Sequence, residues 1–548
     1  MTVAPLGDSA VMITLGESVD PLMAARVRAI AAEIERHPPV GVTDVVPAFA
    51  SVAVFFEPAH ARPFEAVCAE LQALVDRAEA AVVAVSARRV EIPVCYGGDY
   101  GPDLHDVAAR ARLTPAQAAA LHAGAEYLVH AVGFSPGFPY LGGLPAALAT
   151  PRLATPRSRV PAGSVGIGGG QTGVYPIATP GGWNLIGRTP RALFDARRPE
   201  PALLQAGDRV VFRPISADDF AAQAAAADVP TENAAARPTG SGIHVVRAGM
   251  FTTVQDAGRR GHRSRGVPQS GAADALALRL VNLLVGNPEG AAALEFTLVG
   301  PELRFDHDTV VAIGGGDFGG DVPRWRPIEI RRGTTLKFGA ARHGCRGYLA
   351  AAGGIDVAPV LGSRSTYVRA ELGGFHGRAL RDGDDLPVPD VQRHFRDHWR
   401  IDERILPSNA RPARVRVVRG GHADQFAGDW IARSFTVSPQ SDRMGLRLQG
   451  AALERRTGAE LVSAPVAPGT IQVPPDGQPI VLLADAQTIG GYPRLAHVIA
   501  VDLPRMAQLR PGETVTFCEV SLAEARDIAL AQERALALLR EGLAQKLA

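Results

Sequence analysis

At the start of the chain, hydrophobic positions recur partly at helical and partly at strand-like spacing, whereas later segments have mostly strand-like spacing. Apolar residues recur at helical spacing in residues 21–36 and 63–81, and short strand-like runs lie around these two segments. This mixture predicts a small α+β domain over residues 1–85. Strand-like runs and turns dominate afterwards, so we predict that residues 86–216 form a separate, β-rich domain.

The β-rich pattern returns in the second half, after a change in composition. Residues 217–241 are rich in alanine and end in Pro, Thr, Gly and Ser, which is typical of a partly helical interdomain linker. Short strands recur over residues 242–412 and 413–548, and the segment 522–547 has the composition of a helix. Strand spacing and turn density predict a barrel or a sandwich in the β-rich parts.

A long stretch of the first half is repeated in the second half. The sequence VPAGSVGIGGGQTGVYPIATPGGWNLIG, from Val160, resembles VAPGTIQVPPDGQPIVLLADAQTIGGYPRLAHV, from Val466. Both copies end on a similar phrase, LLQAGDRVVF from Leu203 and AQLRPGETVTF from Ala507, and ALRDGDDLPV from Ala379 is a weaker echo. Repetition at this scale predicts related barrels packed together, each contributing a glycine-rich loop.

Glycine and proline are concentrated in residues 133–189, where charged side chains are nearly absent. This composition predicts ordered, tightly turning backbone that presents N–H groups beside a site. The run GIGGGQTG (166–173) lacks the Gly-Lys-Ser/Thr ending of a phosphate loop, and the Val-Tyr-Pro after it excludes the helix of a dinucleotide-binding fold. A tight turn and an anion-binding nest of glycines both stay open.

Composition narrows the classes of function. The 548 residues carry a net charge of +1, which indicates no nucleic-acid partner, and no apolar run is long enough to predict a membrane span. The only lysines are Lys337 and Lys546, so Schiff-base, P-loop and biotin-carrying chemistry has almost no place. Four scattered cysteines and the lack of metal-ligand spacing predict no disulfide framework and no metal site. With no leader pattern, we expect a cytoplasmic protein.

Polar residues in apolar or glycine-rich surroundings are the candidates for chemistry. Glu295, in the apolar run ALEFTLVG, is a candidate for a shifted pKa and for proton transfer, although a buried ion pair stays equally open. Arginine presents a planar fork for a carboxylate, and glutamine and tyrosine can hydrogen-bond an amide. We expect catalytic carboxylates at Asp256, Glu295, Asp317 and Asp442, and substrate-binding side chains at Arg157, Ser164, Gln171, Tyr175, Gln255, Arg259, Arg443, Arg447, Gln478, Gln487 and Tyr492.

Several motifs resemble a known family. GFSPGFPYLGGL, TPRSRVPAGSVGIGGGQTGVYP and TPGGWNLIGRTP are similar to allophanate hydrolase subunit 1, which is also called the B subunit of 5-oxoprolinase. TTVQDAGRRG, GVPQSGAAD, LEFTLVGP, SDRMGLRL and TIGGYPRLAHVI are similar to allophanate hydrolase subunit 2, or the C subunit of 5-oxoprolinase, of the biotin-dependent carboxyltransferase family. Together these motifs span nearly the whole chain, which therefore resembles a fusion of the two subunits in the 5-oxoprolinase/urea amidolyase family.

The resemblance implies a fold and a choice of activities. It implies tandem cyclophilin-like β-barrels, one after the α+β domain and two in the second half, so the expected fold class is mainly β with an α+β N-terminal domain. In 5-oxoprolinase, the two subunits act with a separate A subunit to hydrolyse 5-oxo-L-proline to L-glutamate with ATP. In urea carboxylase, the corresponding region transfers a carboxyl group from carboxybiotin to urea. Other relatives inhibit a sporulation kinase or antagonise that inhibitor.

Departures from the relatives favour the 5-oxoprolinase interpretation. The chain has no biotin-carrying Met-Lys-Met, and Lys337 has no Gly/Ser-rich partner for a Ser-Ser-Lys amidase. We therefore expect an ATP-hydrolysing enzyme for a cyclic amide, active with the 5-oxoprolinase A subunit, with ATP bound by this chain or by that partner. Two alternatives stay open: a carboxyltransferase that serves a separate biotin carrier, and a non-catalytic histidine-kinase regulator. Association of the chain into a homo-oligomer also stays open.

The expected pocket is composite. Arg157 would bind the carboxylate of the lactam, Gln171 or backbone N–H groups would bind its amide, and Tyr175 would lie beside them. These residues would face the second-half loops around Asp256 and Arg443. We expect Arg157→Ala to abolish turnover without unfolding the chain.

Overall fold

The computed structural model of the protein is mainly β, and its strands form four groups that follow one another along the chain. The predicted fold class, with an α+β domain first and barrels in tandem, is confirmed. The domain boundaries stay predictions. The described residues are 1–17, 20–57, 62–80, 88–227, 242–320, 322–391, 400–402, 405–406, 411–458 and 461–547.

The first group is a four-stranded antiparallel sheet with two helices. Its elements are β1 Thr2–Pro5, β2 Ala10–Thr14, α1 Pro21–Arg36, β3 Val42–Pro47, β4 Ser51–Phe56 and α2 Phe64–Ala80. The strand order is β1-β2-β4-β3. Helix α1 begins where the Asp20 carboxylate accepts the Met23 N–H at 2.9 Å. Apolar side chains of both helices pack on the sheet, among them Ile30 and Leu71.

The second group is a closed barrel of seven strands, called here the first barrel. Its region contains β5 Arg89–Tyr96, α3 Leu104–Arg110, α4 Pro115–Ala123, β6 Glu126–Val132, β7 Pro139–Gly142, β8 Arg157–Val160, β9 Ser164–Gly168, β10 Gln171–Val174, β11 Thr179–Gly181, β12 Asn184–Arg188, β13 Arg209–Pro214 and α5 Ala217–Ala227. The cyclic order is β5-β12-β9-β10-β7-β6-β13, and β5 and β13 pair in parallel. Strands β8 and β11 form a separate two-stranded antiparallel sheet. Helix α5 occupies the start of the predicted linker, and residues 228–241 lie outside the described residues.

The third group consists of two open sheets. Its elements are β14 Ile243–Arg247, β15 Phe251–Gln255, α6 Ala275–Leu284, β16 Ala293–Thr297, β17 Glu302–Phe305, β18 Thr309–Asp317, β19 Pro327–Ile330, β20 Thr335–Lys337, β21 His343–Ala351 and β22 Asp385–Leu386. The sheet orders are β20-β17-β14-β22 and β15-β16-β21-β18-β19, and both sheets contribute to one apolar core. We predicted a barrel over residues 242–412. Among the described strands the sheets do not close, because each ends in strands paired on one side only.

The fourth group is a second closed barrel of seven strands, called here the second barrel. Its region contains β23 Ala413–Arg419, β24 Ser434–Val437, β25 Gly445–Gln449, β26 Ala464–Pro465, β27 Thr470–Gln472, β28 Ile480–Leu482, β29 Ile489–Gly490, β30 Arg494–Val498, α7 Leu503–Ala507, β31 Thr514–Glu519 and α8 Leu522–Leu547. The cyclic order is β23-β30-β27-β28-β25-β24-β31, with β23 and β31 parallel. Strands β26 and β29 form a separate two-stranded antiparallel sheet. The predicted terminal helix over residues 522–547 is confirmed.

The two barrels have the same topology, strand for strand. In chain order β5, β6, β7, β9, β10, β12 and β13 correspond to β23, β24, β25, β27, β28, β30 and β31, and the cyclic orders are then identical. The two-stranded β8–β11 sheet corresponds to the two-stranded β26–β29 sheet. The internal sequence repeat therefore marks two equivalent barrels.

A glycine turn at the start of β9 and β27 explains part of this repeat. Gly163 has a φ of 82° and Gly469 a φ of 89°, both in the left-handed region. The Gly163 N–H donates to the Tyr175 carbonyl and the Gly469 N–H to the Leu482 carbonyl, each at 2.7 Å. A Cβ at either position would lie 2.3 or 2.7 Å from a backbone carbonyl oxygen. Both turns therefore require glycine.

The segment 256–273, between β15 and α6, contacts the other three groups of strands. The Arg263 N–H donates to the carboxylate of Asp44 on β3, at 3.0 Å. The Arg265 carbonyl accepts the N–H of Gly137 in the first barrel at 2.8 Å, and the Ser270 N–H donates to the carbonyl of Ala484 in the second barrel at 3.1 Å. This glycine-rich segment therefore lies at the junction of all four groups.

Candidate functional site

A group of buried charged side chains joins the five-stranded sheet to the second barrel. Arg443 pairs with Glu295 on β16, and its Nε lies 2.8 Å from an oxygen of Asp485. Arg346 on β21 places its Nε 3.8 Å from Glu295. All four side chains are buried. Two arginines therefore compensate two carboxylates, which is the condition under which charged groups tolerate burial.

Hydrogen bonds extend this group to Asp274, the residue before α6. Tyr348 donates to Glu295 at 2.7 Å and accepts the backbone N–H of Asp274 at 2.8 Å. The Asp274 carboxylate accepts the Ala277 N–H at 2.9 Å, which caps the helix, and the side-chain amide of Gln508 at 2.8 Å. The network thus connects the sheet, the start of α6 and the second barrel.

Two of the three carboxylates of this network, Asp274 and Glu295, have different electrostatic surroundings. Burial raises the pKa of Asp274 to about 6, and the nearby Glu295 adds to the effect, while the hydrogen bond from Gln508 acts against it. Burial also acts to raise the pKa of Glu295, but Arg443 and Arg346 outweigh it and hold that pKa below its usual value. Glu295 is therefore a fixed anion, whereas Asp274 can exchange a proton near neutral pH.

Asp274 and Gln508 line a cavity of ≈ 210 Å³. Arg324 and Trp325 lie on its wall, and Arg324 Nη1 donates to the Gly315 carbonyl at 3.0 Å. Trp325 has a φ of 62°, in the left-handed region that bulky residues rarely adopt and that is enriched at functional sites. The cavity therefore brings together a carboxyl group, an amide, a guanidinium group and an aromatic ring.

Among the four predicted catalytic carboxylates, Glu295 is the one that the structure places in this network. Asp317 ends β18, and its carboxylate accepts the Gly319 N–H at 2.9 Å. Asp442 is exposed, accepts the Met444 N–H at 2.8 Å and lies 3.3 Å from Arg369. Both carboxylates stabilise turns.

Asp256, the fourth predicted carboxylate, is buried and fixed by hydrogen bonds. It accepts from the Ser363 hydroxyl at 2.6 Å, from the Arg364 N–H at 2.5 Å and from the Ser365 hydroxyl. These bonds attach the start of the 256–273 segment to residues 363–365. A buried carboxylate with this many donors is a structural acceptor.

Gln255 and Arg259, predicted to bind substrate, are buried beside Asp256. The Gln255 amide donates to the Thr253 hydroxyl at 3.0 Å and to the Thr366 carbonyl at 3.1 Å. Arg259 donates to the Val360 carbonyl at 3.3 Å, and burial lowers its pKa. The structure therefore brings these two residues together with Asp256 but not with the cavity.

The predicted residues of the first barrel lie apart from Asp256 and Arg443. Arg157 donates to Asp103 at 2.7 Å within the barrel itself. Tyr175 is buried in an apolar cluster that joins the first sheet, the first barrel and the two-stranded β26–β29 sheet. Ser164 is buried at the start of β9, and Gln171 is half-buried at the start of β10. No contact between these side chains and Asp256 or Arg443 is present in the described part of the chain.

The remaining predicted residues belong to the second barrel. Arg443 lies in the buried network, as described above. Gln478 makes a reciprocal pair of hydrogen bonds with Gly450, at 2.9 and 3.2 Å. Arg447 and Tyr492 are exposed, and Gln487 is half-buried. None of these last four side chains reaches the cavity.

Seven residues of the network and the cavity are absent from the predicted set, namely Asp274, Arg324, Trp325, Arg346, Tyr348, Asp485 and Gln508. Tyr348 stands in an apolar run, where it has the pattern of an ordinary core residue. Gln508 lies within the repeated phrase AQLRPGETVTF, and that position was the available signal. The Gln508 carbonyl oxygen of the side chain accepts the Cys345 and Arg346 N–H groups, both at 3.0 Å.

Metal-binding clusters and membrane-spanning helices are absent from the described residues. No group of three or more His, Cys, Asp or Glu side chains in the described segments could hold a metal ion. No helix in those segments is both long enough and apolar enough to span a membrane.

Comparison with known proteins identifies the class. The carboxyltransferase domain, subdomain C and D, matches residues 1–204, and the carboxyltransferase domain, subdomain A and B, matches residues 265–519. The crystal structure of TTHA0988 superposes with a TM-score of 0.78 at 36% identity, covering 93% of this chain and 99% of that one. The chain is therefore a carboxyltransferase-domain protein.

Two curated relatives specify the family further. The C subunit of Escherichia coli 5-oxoprolinase is 42% identical over 302 residues, which cover 53% of this chain and 96% of that protein. The B subunit of Bacillus subtilis 5-oxoprolinase is 47% identical over 225 residues, which cover 39% of this chain and 93% of that protein. The chain belongs to the family of the 5-oxoprolinase B and C subunits, and it joins both regions in one polypeptide.

Proposed function

We propose that this chain is the fused B–C component of an ATP-dependent 5-oxoprolinase, which opens 5-oxo-L-proline to L-glutamate together with a separate A subunit. The observation that carries the proposal is that one chain is similar to nearly the full length of both the B and the C subunits. ATP is expected to be bound by the partner protein. No covalent biotin is expected on this chain.

The chemistry of the cavity at Asp274 supports this substrate. The lactam offers a carboxylate, an amide and a five-membered ring. Arg324 can bind the carboxylate, and Trp325 offers an apolar face. Gln508 donates its amide hydrogens to Asp274 and to the Arg346 carbonyl, and it therefore holds the Asp274 carboxylate in position. A cavity of about 150 Å³ accommodates benzene in another protein, so the ≈ 210 Å³ here is sufficient for a substituted five-membered ring.

Asp274 is proposed as the proton acceptor of the hydrolysis. A water oxygen adds to the lactam carbon, the carbon–nitrogen bond of the ring breaks, and the nitrogen leaves with a proton as the amino group of glutamate. A carboxylate with a pKa of about 6 is a stronger base than an ordinary one and is still ionised at neutral pH. Phosphorylation of the lactam oxygen by ATP, with release of ADP, would make the carbon easier to attack. Opening of the ring would then give an acyl phosphate, and its hydrolysis would release inorganic phosphate and glutamate.

Reconstitution tests the proposal. The purified chain and a competent A subunit, mixed with 5-oxo-L-proline and ATP, should form glutamate and ADP, and omission of either protein should abolish glutamate formation. We expect Arg324→Leu to raise KM for 5-oxo-L-proline by at least about tenfold. Arg331→Leu, at an exposed arginine paired with Asp308, is the matched control. Absence of glutamate when the partner protein is competent would refute the function.

A second candidate function follows from the name of the matching domain. As a carboxyltransferase domain, the chain would transfer a carboxyl group from the carboxybiotin of a separate carrier to an amide nitrogen. Incubation with carboxybiotin and urea, with detection of carboxylated urea, tests this candidate. Carboxylation without 5-oxoproline turnover would favour it over the first proposal.

A further inference from the structure

His422 and Arg494 are joined by two hydrogen bonds at one end of the second barrel. The backbone N–H of Arg494, on β30, donates to Nδ1 of His422 at 3.1 Å, and the His422 N–H donates to the Arg494 carbonyl at 3.1 Å. Burial lowers the pKa of His422 to about 4, with further effects from Arg494 and Arg455. The imidazole is therefore neutral at neutral pH. Because Nδ1 accepts a hydrogen bond, Nε2 carries the proton and is a donor.

The first barrel has the same backbone arrangement at the equivalent position. The Leu185 N–H, on β12, donates to the Asp103 carboxylate at 2.6 Å, and the Asp103 N–H donates to the Leu185 carbonyl at 2.9 Å. Since β12 corresponds to β30, Asp103 corresponds to His422 and Leu185 to Arg494. Asp103 also pairs with Arg157 on strand β8.

The charge at these two positions differs. The first barrel carries an anion and a cation, Asp103 and Arg157, which neutralise each other. The second barrel carries Arg494 beside a neutral histidine, and β26, the counterpart of β8, is Ala464–Pro465 and has no charge. Among the described residues, no carboxylate pairs with Arg494, and its guanidinium donates no hydrogen bond. At this end of the second barrel the Arg494 cation thus has no carboxylate partner in the described segments, whereas the equivalent end of the first barrel has an ion pair.

The surroundings of Arg494 are unfavourable for an isolated charge. The side chain is half-buried, and burial lowers its pKa to about 10. Arg494 also acts to lower the pKa of the buried His497, which accompanies it on β30. An anion beside the guanidinium would offset the cost of desolvating the charge.

We propose that this end of the second barrel binds an oxyanion, carried by a carboxylate or a phosphate group, at Arg494 and His422. The bound anion supplies the negative charge that Asp103 supplies in the first barrel and that His422, the neutral counterpart of Asp103, does not. Arg494 offers the planar fork of its guanidinium, and His422 offers its Nε2–H. The site is separate from the cavity at Asp274, and the proposal does not depend on the proposed hydrolysis.

Calorimetric titration of the full chain with inorganic phosphate and, separately, with acetate tests the proposal. At fixed ionic strength we expect at least one of the two anions to bind with a Kd below about 1 mM. Tighter binding of phosphate assigns the site to phosphate groups, and tighter binding of acetate assigns it to carboxylates.

Two variants replace a residue of the second barrel by its counterpart in the first barrel. Arg494→Leu installs the residue found at Leu185, and His422→Asp installs the acid found at Asp103. Each should weaken binding by at least about tenfold. His422→Asp should also raise Tm, because the new carboxylate accepts the Arg494 N–H and pairs with the guanidinium. Arg456→Leu removes an exposed arginine of the same barrel and should leave Kd unchanged.

Three results would overturn the proposal. The first is no detectable binding of either anion at concentrations up to about 10 mM. The second is an equal loss of affinity in Arg456→Leu, which would indicate diffuse attraction to the barrel surface. The third is unchanged affinity in His422→Asp, a variant that keeps the acceptor for the Arg494 N–H and so decides the matter even if Arg494→Leu does not fold.

Discussion

The two closed barrels share one strand order, yet they join the rest of the molecule through different kinds of surface. The first barrel contributes aromatic side chains, including Phe138, Tyr175 and Trp183, to an apolar cluster with the first sheet. The second barrel contributes Arg443 and Gln508 to the buried polar network around Glu295 and Asp274. The same fold thus serves as a packing module in one copy and as one wall of a candidate site in the other.

This difference shows where the chemistry of a duplicated fold is located. The turns that close both barrels are the same, as Gly163 and Gly469 illustrate. The charged residues are not the same, because Arg443 faces two buried carboxylates whereas Arg157 pairs with Asp103 near the surface. Topology therefore follows the repeat, and function follows the residues that depart from it.

The largest expected effect comes from breaking the two arginine pairs separately. The Arg443 side chain is 7% exposed and the Arg157 side chain 30%. Arg443→Met leaves Glu295 and Asp485 buried with less compensation, and it should cost about 3–5 kcal/mol of unfolding free energy. Arg157→Met should cost about 1 kcal/mol, because that pair is closer to solvent. Chemical denaturation measures both, and equal losses would show that the two barrels do not differ in this respect.

The pairing of Arg157 with Asp103 changes the result that we expect for Arg157→Ala. A residue that pairs with Asp103 inside the first barrel should affect stability more than turnover. Loss of turnover in Arg157→Ala at unchanged stability would instead restore the composite pocket predicted from the sequence.

A second expected effect is a pH dependence at the contact between the first sheet and the second barrel. Asp8 accepts the Ala500 N–H at 2.9 Å, and burial raises its pKa to about 6, with a further effect from Asp502. The folded state therefore binds more protons than the unfolded state between about pH 4 and 6, so this group's contribution to stability falls as pH rises through that window. The loss should be on the order of 2–3 kcal/mol.

Thermal melts of the unchanged chain and of Asp8→Asn measure this effect. The Tm of the variant minus that of the unchanged chain should increase from pH 4 to pH 7, since asparagine cannot ionise but can still accept the Ala500 N–H. Asp99→Asn, at an exposed carboxylate, is the control for charge alone. A difference in Tm that is constant with pH would contradict the assigned pKa.

The smallest expected effect tests the equivalence of the two barrels. Gly163→Ala and Gly469→Ala place a Cβ against a backbone carbonyl at left-handed φ, and each should cost about 1–3 kcal/mol. The cost should be greater at Gly163, where the approach is 2.3 Å rather than 2.7 Å. Gly512→Ala, with the same φ region but open space around its Cβ, is the matched control for strain without a clash. No loss at Gly469 would show that the repeated turn is not required there.

The sequence was sufficient to predict the fold class and the paired barrels, because both depend on local patterns. Alternating strands, turn residues and the repeat from Val160 and Val466 are visible over a few tens of residues. Whether the sheets of the third group close into a barrel depends on pairing at their edges, which strand spacing does not reveal.

The candidate site could be predicted only in part, for the same reason. Glu295 and Arg443 stood out as charges in unusual surroundings, and the network contains both. The cavity, however, is built from Asp274, Arg324 and Gln508, which lie far apart in the sequence and meet only after folding. Asp256 stood out equally well, but its donors at residues 363–365 are remote in sequence and fix it in a structural role.

The pH dependence of kcat in the reconstituted reaction tests the central claim most directly, namely that Asp274 is the proton acceptor of the candidate site. With the partner protein, ATP and 5-oxo-L-proline, kcat of the unchanged chain should rise with pH through an apparent pKa of about 6, because the carboxylate must be ionised to accept a proton. Asp274→Asn should lower kcat by at least about 100-fold and remove this step, whereas Asp308→Asn, at an exposed carboxylate, should change neither. Full activity of Asp274→Asn with an unchanged pH profile would contradict the account.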